Sequence, residues 1–155
     1  RLNWGPAQIE QERREIRETG EIGFTTEVSG SWSVINDIYQ TTVDRVRAET
    51  ANLLWIGGHS SHSYQTGTNI YFVYYYRVAC PPEEEVARYH EPINAIICEQ
   101  ALRLGGSIVH HHGIGKARAA WTRAEHGSAW PLLHGLKTAF DPNGIMNSGT
   151  IFPIE

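Results

Sequence analysis

The sequence predicts an α+β domain, an antiparallel sheet with helices laid over it, and three observations lead there. Segments with alternating apolar residues trade places along the chain with segments whose apolar residues recur at three- and four-residue steps. TNIYFVYYYRV (68–78) is aromatic and β-branched with no breaker inside, the strongest strand signal in the chain. At 155 residues, with 41% hydrophobic content and no repeat or low-complexity linker, the chain is long enough for one domain with its own core.

The elements follow in order. AQIEQERREIRET (7–19) is a charged, solvated helix, and Gly20 ends it where a left-handed C-cap belongs. EIGFTTEV (21–28) alternates as a half-buried strand does. Val34, Ile35, Ile38, Tyr39, Thr42, Val43 and Val46 then mark an amphipathic helix over 31–49, with Ser31 or Ser33 as its N-cap. NLLWIGGHSS is a second strand entering a polar loop. In 68–78, Tyr71, Val73 and Tyr75 share one face, and Ile70, Phe72, Tyr74 and Tyr76 share the other. Both faces are apolar or aromatic, which predicts a central strand covered on both sides.

Pro81 and Pro82 open a long helix with acidic residues in its first turn. Val86, Tyr89, Ile93, Ile96, Ile97 and Leu104 form its apolar stripe, and Pro92 is expected to kink it. Gly105 and Gly106 stop it, and SIV (107–109) reads as a short strand. KARAAWTRAEHG and WPLLHGLKTAF are two further helical segments, before a turn-rich ending, DPNGIMNSGTIFPIE.

Composition narrows the function. A net charge of -4 gives no basic face for nucleic acid. No apolar run is long enough to span a bilayer, and RLNWGPAQ lacks the apolar core of a signal peptide. The chain opens on Arg1 rather than Met, as a fragment or processed product would. Its two cysteines, Cys80 and Cys98, fit a reducing compartment, so the expected location is cytoplasmic. Five Trp and seven Tyr are dense enough to line a cleft, although large cores use them too.

Three stretches invite a chemical reading. GGSIVHHHGIGK sets His110, His111 and His112 at a Gly-flanked strand-to-helix corner, where imidazoles can move protons or ligate metals. The plain alternative is a polar turn capping the next helix. If the segment is extended, His110 and His112 point one way and His111 the other, which makes a mononuclear site on all three awkward. HSSHSYQTGTNIYF places His59, His62 and Tyr64 on the loop before the aromatic strand. A tyrosine facing a pocket, such as Tyr71, can serve as general acid or base, but by pattern alone it is one more core aromatic. The glycines before Lys116 could hold an anion, or simply make a tight corner at positive φ.

Taken together, GGSIVHHHGIGK, DPNGIMNSGTIF and NIYFVYYYRV resemble the C-terminal domain of FAD-linked oxidases of the vanillyl-alcohol-oxidase type. The triple histidine and SHSYQTGTNIYF are most similar to the alkyldihydroxyacetonephosphate synthases and their bacterial relatives, over about Phe24 to Phe152. The resemblance implies a single cap, or substrate-binding, domain over 1–155 with a ferredoxin-like sheet. It implies FAD as cofactor, held mainly by a domain N-terminal to residue 1, and a fragment inactive alone. Its implied partners are that FAD-binding domain and a small-molecule substrate, with room for a lipid or membrane-surface substrate and a homodimer, and no nucleic acid.

By the same resemblance Tyr71 takes a proton from the substrate carbon, and His110, His111 and His112 line the reaction site. His111, His112 and Asn147 would touch the cofactor, and Arg17, His62 and Lys116 the substrate. Flavin-dependent 2-hydroxy acid dehydrogenases of the family carry Glu-His-Gly at this corner and a His at the position of Tyr71, and some bind a divalent metal. Here the corner reads His111-His112-Gly113, which favours the synthase-like branch and no metal. The rival readings are a cap of such a dehydrogenase, or a stand-alone metal- or ligand-binding module on His59, His62, His110 and His112.

Overall fold

The computed structural model describes residues 5–153. The opening RLNW, part of the stretch read for a signal peptide, and the last two residues lie outside them. Helix α1 (Pro6–Thr19) buries none of its residues and ends at Gly20, whose φ of 68° lets its N–H reach Ile16 O at 2.8 Å. Strands β1 (Glu21–Ser31), β2 (Leu53–His59) and β3 (Gly67–Arg77) form an antiparallel sheet in the order β1-β3-β2. Helix α2 (Ile35–Glu49) connects β1 to β2, and α3 (Glu91–Arg103) follows β3. Two more helices, α4 (Ala119–His126) and α5 (Trp130–Phe140), complete the described chain. None of the described helices is long and apolar enough to cross a membrane.

Helices α2 and α3 pack side by side on one face of the sheet. Phe72, Tyr74 and Tyr76 from β3 are fully buried there, with Val28, Ile38, Val46, Ile56, Ile93 and Ile97 around them. Period-two alternation in the strands and the three-four spacing of the helices put these residues on facing sides. Buried phenols keep partners: Tyr74 Oη lies 3.1 Å from Thr26 Oγ1 and 2.8 Å from His90 Nδ1, and Tyr76 donates to Glu85. Burial pushes both phenols well above the ordinary tyrosine range. Cys80 and Cys98 are free thiols, and burial pushes Cys98 up to about 12.

Several expectations need correction. β3 is central, but helices cover one face only; on the other, loops bury the Asn69 end while Tyr75 is 46% exposed. Its aromatic second face is not core: α1 reaches only its end, where Glu12, Glu15 and Ile16 border Gly23 and Tyr75, and it does not pack over the face as α2 and α3 do opposite. Helix α2 begins at Ile35 rather than Ser31, with Val34 at its cap and no side-chain cap. Ser31 is still paired to Gly67 in the sheet, and its hydroxyl bonds Ser33 Oγ at 2.8 Å instead of capping. The long helix from Pro82 is broken into a 3₁₀ turn (Pro82–Glu84), a π turn (Val86–His90) and α3. The wide turn sets Pro92 in the first turn of α3, where its missing N–H has no partner to lose. Val86, assigned to the apolar stripe, is 44% exposed.

SIV forms one antiparallel pair, Ser107 with Ser29 at 2.8 and 3.0 Å, on the free edge of β1. That edge is where a ferredoxin-like sheet carries its fourth strand. The chain leaves it after one pair because a carboxylate pulls it away: Ser107 Oγ and Ile108 N donate to Glu125 of α4, at 2.5 and 3.1 Å.

Candidate functional site

The sheet face opposite the helices carries Glu27 on β1, Asn69 and Tyr71 on β3, and His59 on β2, since residues paired across antiparallel strands share a face. Glu27 and Asn69 are fully buried, although they face away from the core. Two loops bury them. Asn69 Oδ1 accepts the backbone N–H groups of Ser61 and His62, at 3.3 and 3.1 Å. Glu27 Oε2 accepts those of His110 and His111, at 2.9 and 3.2 Å. Asn69 Nδ2 donates to Glu27 Oε1 at 3.2 Å, so the two anchors also hold each other. Burial alone would raise the Glu27 carboxyl, but the donors from His110, Asn69 and His111 hold it below the usual carboxylate range.

Arg118 supplies a strut between loop and sheet. Its buried guanidinium donates to Glu27 O at 2.8 Å and Ile108 O at 2.7 Å, and burial lowers its proton affinity. At the other end of the loop, Ile151 N reaches Gly115 O at 3.1 Å, which ties the C-terminal tail to the histidine corner.

These anchors converge the two loops. Tyr71 Oη lies 2.5 Å from His111 Nε2 and accepts from Ser61 Oγ at 3.2 Å. His111 Nδ1 in turn lies 3.0 Å from Glu27 Oε1. A phenol, an imidazole and a buried carboxylate thus stand in line, the arrangement that lets an imidazole draw a proton from a hydroxyl while its positive form is stabilised behind. His110 repeats the pattern: Nε2 is 2.9 Å from Tyr64 Oη and Nδ1 is 3.2 Å from Glu27 Oε1. His59 stacks flat on Tyr71, centroids 4.7 Å apart with 5° between the planes, and His112 meets Tyr71 edge-on at 5.1 Å.

The alternation expected of the triplet fails because the segment is bent around Glu27 rather than extended. His110 and His111 therefore lie together, with His62 4.8 Å from the His111 ring. Arg17 lies on α1, where it pairs with Glu10 at 2.7 Å, and among the described residues no hydrogen bond or ion pair joins it to a histidine. Lys116 is exposed and makes no side-chain hydrogen bond among the described residues; Gly113 and Gly115, at φ 81° and 57°, serve a tight corner. Asn147 lies in the tail, in a groove with Lys137, Asp141 and Phe152, rather than beside Tyr71.

Sequence reasoning missed Glu27, Asn69 and Arg118. The available signal was an acid inside EIGFTTEV, a strand with apolar residues on both sides of it; a carboxylate there needs partners if it is buried.

Beyond this cluster the open face carries two aromatic rings set close to glycines. An added Cβ at Gly23 would meet the Tyr75 ring at 2.4 Å, and one at Gly57 would meet Trp55 at 2.5 Å, so both rings lie down over glycine. Trp55 is 52% exposed.

Comparison with known proteins gives the family frame. The model for FAD linked oxidases, C-terminal domain, matches residues 7–151. An uncharacterized FAD-linked oxidoreductase of Escherichia coli strain K12, YgcU, is 61% identical over 158 residues, which cover 99% of this chain and 33% of that protein. The alkyldihydroxyacetonephosphate synthase of Trypanosoma brucei brucei is 29% identical over 109 residues, covering 70% of this chain and 17% of that enzyme. A solved structure of an alkyldihydroxyacetonephosphate synthase superposes with a TM-score of 0.48 at 18% identity, over 96% of this chain and 23% of that one. The chain thus spans about a third of the length of the E. coli relative.

Proposed function

The chain belongs to the C-terminal-domain family of FAD-linked oxidases, and from that premise we propose that it is the substrate-side part of a larger FAD-dependent enzyme in which Tyr71 moves the substrate proton. The observation that carries this reading is the 2.5 Å contact between Tyr71 Oη and His111 Nε2, backed by the buried carboxylate of Glu27.

The residues present fit a flavin. The open sheet face offers Val73, Tyr75 and Trp55 beside an imidazole cluster, an exposed apolar and aromatic surface of the kind against which a planar ring system packs. His111 and His112 would hold its edge; Asn147 would do so only from the tail, which the Ile151–Gly115 bond keeps near the corner. FAD, bound chiefly by an N-terminal domain, would supply the electron acceptor.

The chain's own residues do the rest. Tyr71 passes its hydroxyl proton to His111 Nε2 and takes a proton from a substrate carbon bearing oxygen, leaving the former C–H bond pair for the cofactor. His111 becomes cationic next to the Glu27 carboxylate, which stabilises the charge. His62 and Tyr64 line the entrance, with Ser61 bridging His62 Nδ1, at 2.7 Å, to Tyr71. Either oxidation of an alcohol or hydroxy acid, or a synthase-like exchange of acyl for alkyl chain, uses this proton transfer.

The test is the visible spectrum of the full-length protein. Flavin bands that bleach with substrate, and a Tyr71→Phe variant that keeps its flavin but bleaches at least about a hundredfold more slowly, support the reading. A protein that takes up no FAD, or a variant that bleaches at the wild-type rate, overturns it.

A further inference from the structure

The hydrogen bonds that start at Tyr71 do not stop at His111. His111 Nδ1 lies 2.9 Å from His110 Nδ1, and His110 Nε2 lies 2.9 Å from Tyr64 Oη. With the 2.5 Å contact between Tyr71 Oη and His111 Nε2, four side chains make one unbroken row. Its inner end is the partly buried Tyr71, and its outer end is Tyr64, which is 52% exposed. Tyr64 and His110 line a cavity of about 350 Å³ along the free edge of β1, roomy enough for water.

Counting protons gives the row a direction. A neutral imidazole has one N–H donor and one bare acceptor nitrogen. Two ring nitrogens 2.9 Å apart need one proton between them, so His110 and His111 hold opposite tautomers. His111 Nε2 accepts from Tyr71, which puts the His111 proton on Nδ1. His110 Nδ1 then accepts, and the His110 proton sits on Nε2, donating to Tyr64 Oη. The Tyr64 hydroxyl proton is left to face water. On the other side of Tyr71, Ser61 Oγ already donates to its hydroxyl at 3.2 Å, which leaves His111 to take the Tyr71 proton. Glu27 Oε1, 3.2 and 3.0 Å from the His110 and His111 Nδ1 atoms, stands beside the middle link, where positive charge passes.

We propose that Tyr71, His111, His110 and Tyr64 form a proton wire that carries the substrate proton from the reaction site to solvent. The wire rests on the reading of Tyr71 as the group that takes that proton. The substrate C–H bond breaks, its electron pair goes to the cofactor and its proton to Tyr71. For an alcohol the hydroxyl proton goes with that pair, so a carbon–oxygen double bond forms as the cofactor takes up two electrons and one proton. The Tyr71 proton moves to His111 Nε2, the His111 Nδ1 proton to His110 Nδ1, the His110 Nε2 proton to Tyr64 and the Tyr64 hydroxyl proton to water. One proton enters, one leaves, and no residue of the row keeps a charge. Both rings end in the opposite tautomer, and exchange with water restores them before the next turnover. His110 and Tyr64 thus clear His111 for reuse, a task beyond lining the entrance.

The test uses the full-length protein with isotope-labelled histidines, whose tautomers nitrogen NMR reads directly, assigned through His110→Asn and His111→Asn. His110 is expected with its proton on Nε2 and His111 with its proton on Nδ1; two rings in the same tautomer overturn the wire. This readout needs neither substrate nor bound flavin, so its failure is distinct from failure of the flavoenzyme reading, which shows as a protein that takes up no FAD. The second arm is Tyr64→Phe, which removes the outer hydroxyl and keeps the backbone ties of the loop, Trp32 Nε1 to Tyr64 O at 3.0 Å and Tyr64 N to Gly67 O at 2.8 Å. Turnover with the substrate that bleaches the flavin, run with a dye as electron acceptor, is expected to fall at least about tenfold. It is expected to recover as imidazole, a diffusible base, is added, while the wild type does not respond. Turnover at the wild-type rate, or a loss that imidazole leaves in place, overturns the wire.

Discussion

Strand β3 turns Phe72, Tyr74 and Tyr76 to one side and Tyr71, Val73 and Tyr75 to the other, and the two sets meet opposite fates. The first set is fully buried under α2 and α3. The second meets loops at one end of the sheet and is left partly open at the other, where Tyr75 and Trp55 are 46% and 52% exposed. Tyrosine occurs on both sides. On the helix side, burial locks the Tyr74 and Tyr76 hydroxyls into their protonated forms. On the loop side, Tyr71 meets an imidazole at 2.5 Å with a carboxylate behind it. Residue type is shared, so placement decides which phenol holds the structure together and which can move a proton.

That contrast is sharpest at two adjacent residues. Phe72→Ala removes a fully buried ring and is expected to cost about 3–5 kcal/mol of stability, read from the denaturant midpoint of the full-length protein. Tyr71→Phe deletes one hydroxyl beside partly exposed partners and is expected to cost less than about 1.5 kcal/mol, while flavin reduction collapses. Equal losses of stability from the two would erase the distinction between the faces.

Acid probes the same division. His90 sits against Tyr74 on the helix side, and burial lowers its pKa from the ordinary 6.5. The folded state thus binds the His90 proton less readily than the unfolded chain does. Its contribution is present above pH 6.5 and is lost as the pH falls below that value. Glu27, on the loop side, is also held below its ordinary 4.5, so its contribution persists until the pH drops under that point. The two faces are therefore expected to weaken in sequence, helix side first. Stability profiles of His90→Gln and Glu27→Gln against pH check this: the first variant flattens the slope just below 6.5, the second only below 4.5. A wild type whose stability is level from pH 7 to 5 contradicts the assignment to His90.

The helix side was legible in the sequence because its signals are local. Ile35, Ile38, Val43 and Val46 declare their shared face by spacing, and Phe72, Tyr74 and Tyr76 by alternation. The loop side was legible only as a set of suspects. Tyr71 and the histidines stood out by type and by resemblance to a family, but nothing in the spacing brings residue 62 to residue 110. That meeting is made by Glu27 and Asn69, a charge and an amide inside strands, each gathering the backbone of a different loop. A periodic pattern records which way a side chain points; it does not record which distant loop will come to it. The false cover on the second face of β3 has the same origin, since aromatic residues read as core whether helices, loops or open surface lie over them.

The gentlest probe compares two neighbouring glycines on β2. Gly57 faces the open side, where an added Cβ meets the Trp55 ring at 2.5 Å; Gly58 faces the helices, where it meets Tyr39 at 2.9 Å and Ile70 at 3.0 Å. Trp55 is half exposed and can lift away from the sheet, whereas Tyr39 is stacked on Phe72 with its ring plane 13° from parallel. Gly58→Ala is therefore expected to cost about 1–3 kcal/mol through overpacking. Gly57→Ala is expected to change stability by less than about 1 kcal/mol, because the lifted ring offsets the strand's gain from replacing glycine. Tryptophan emission should shift in Gly57→Ala and stay in place in Gly58→Ala. The reverse ranking would mean that Trp55 is pinned as firmly as the core, and that the open face is a second packed layer rather than a surface prepared for a ligand.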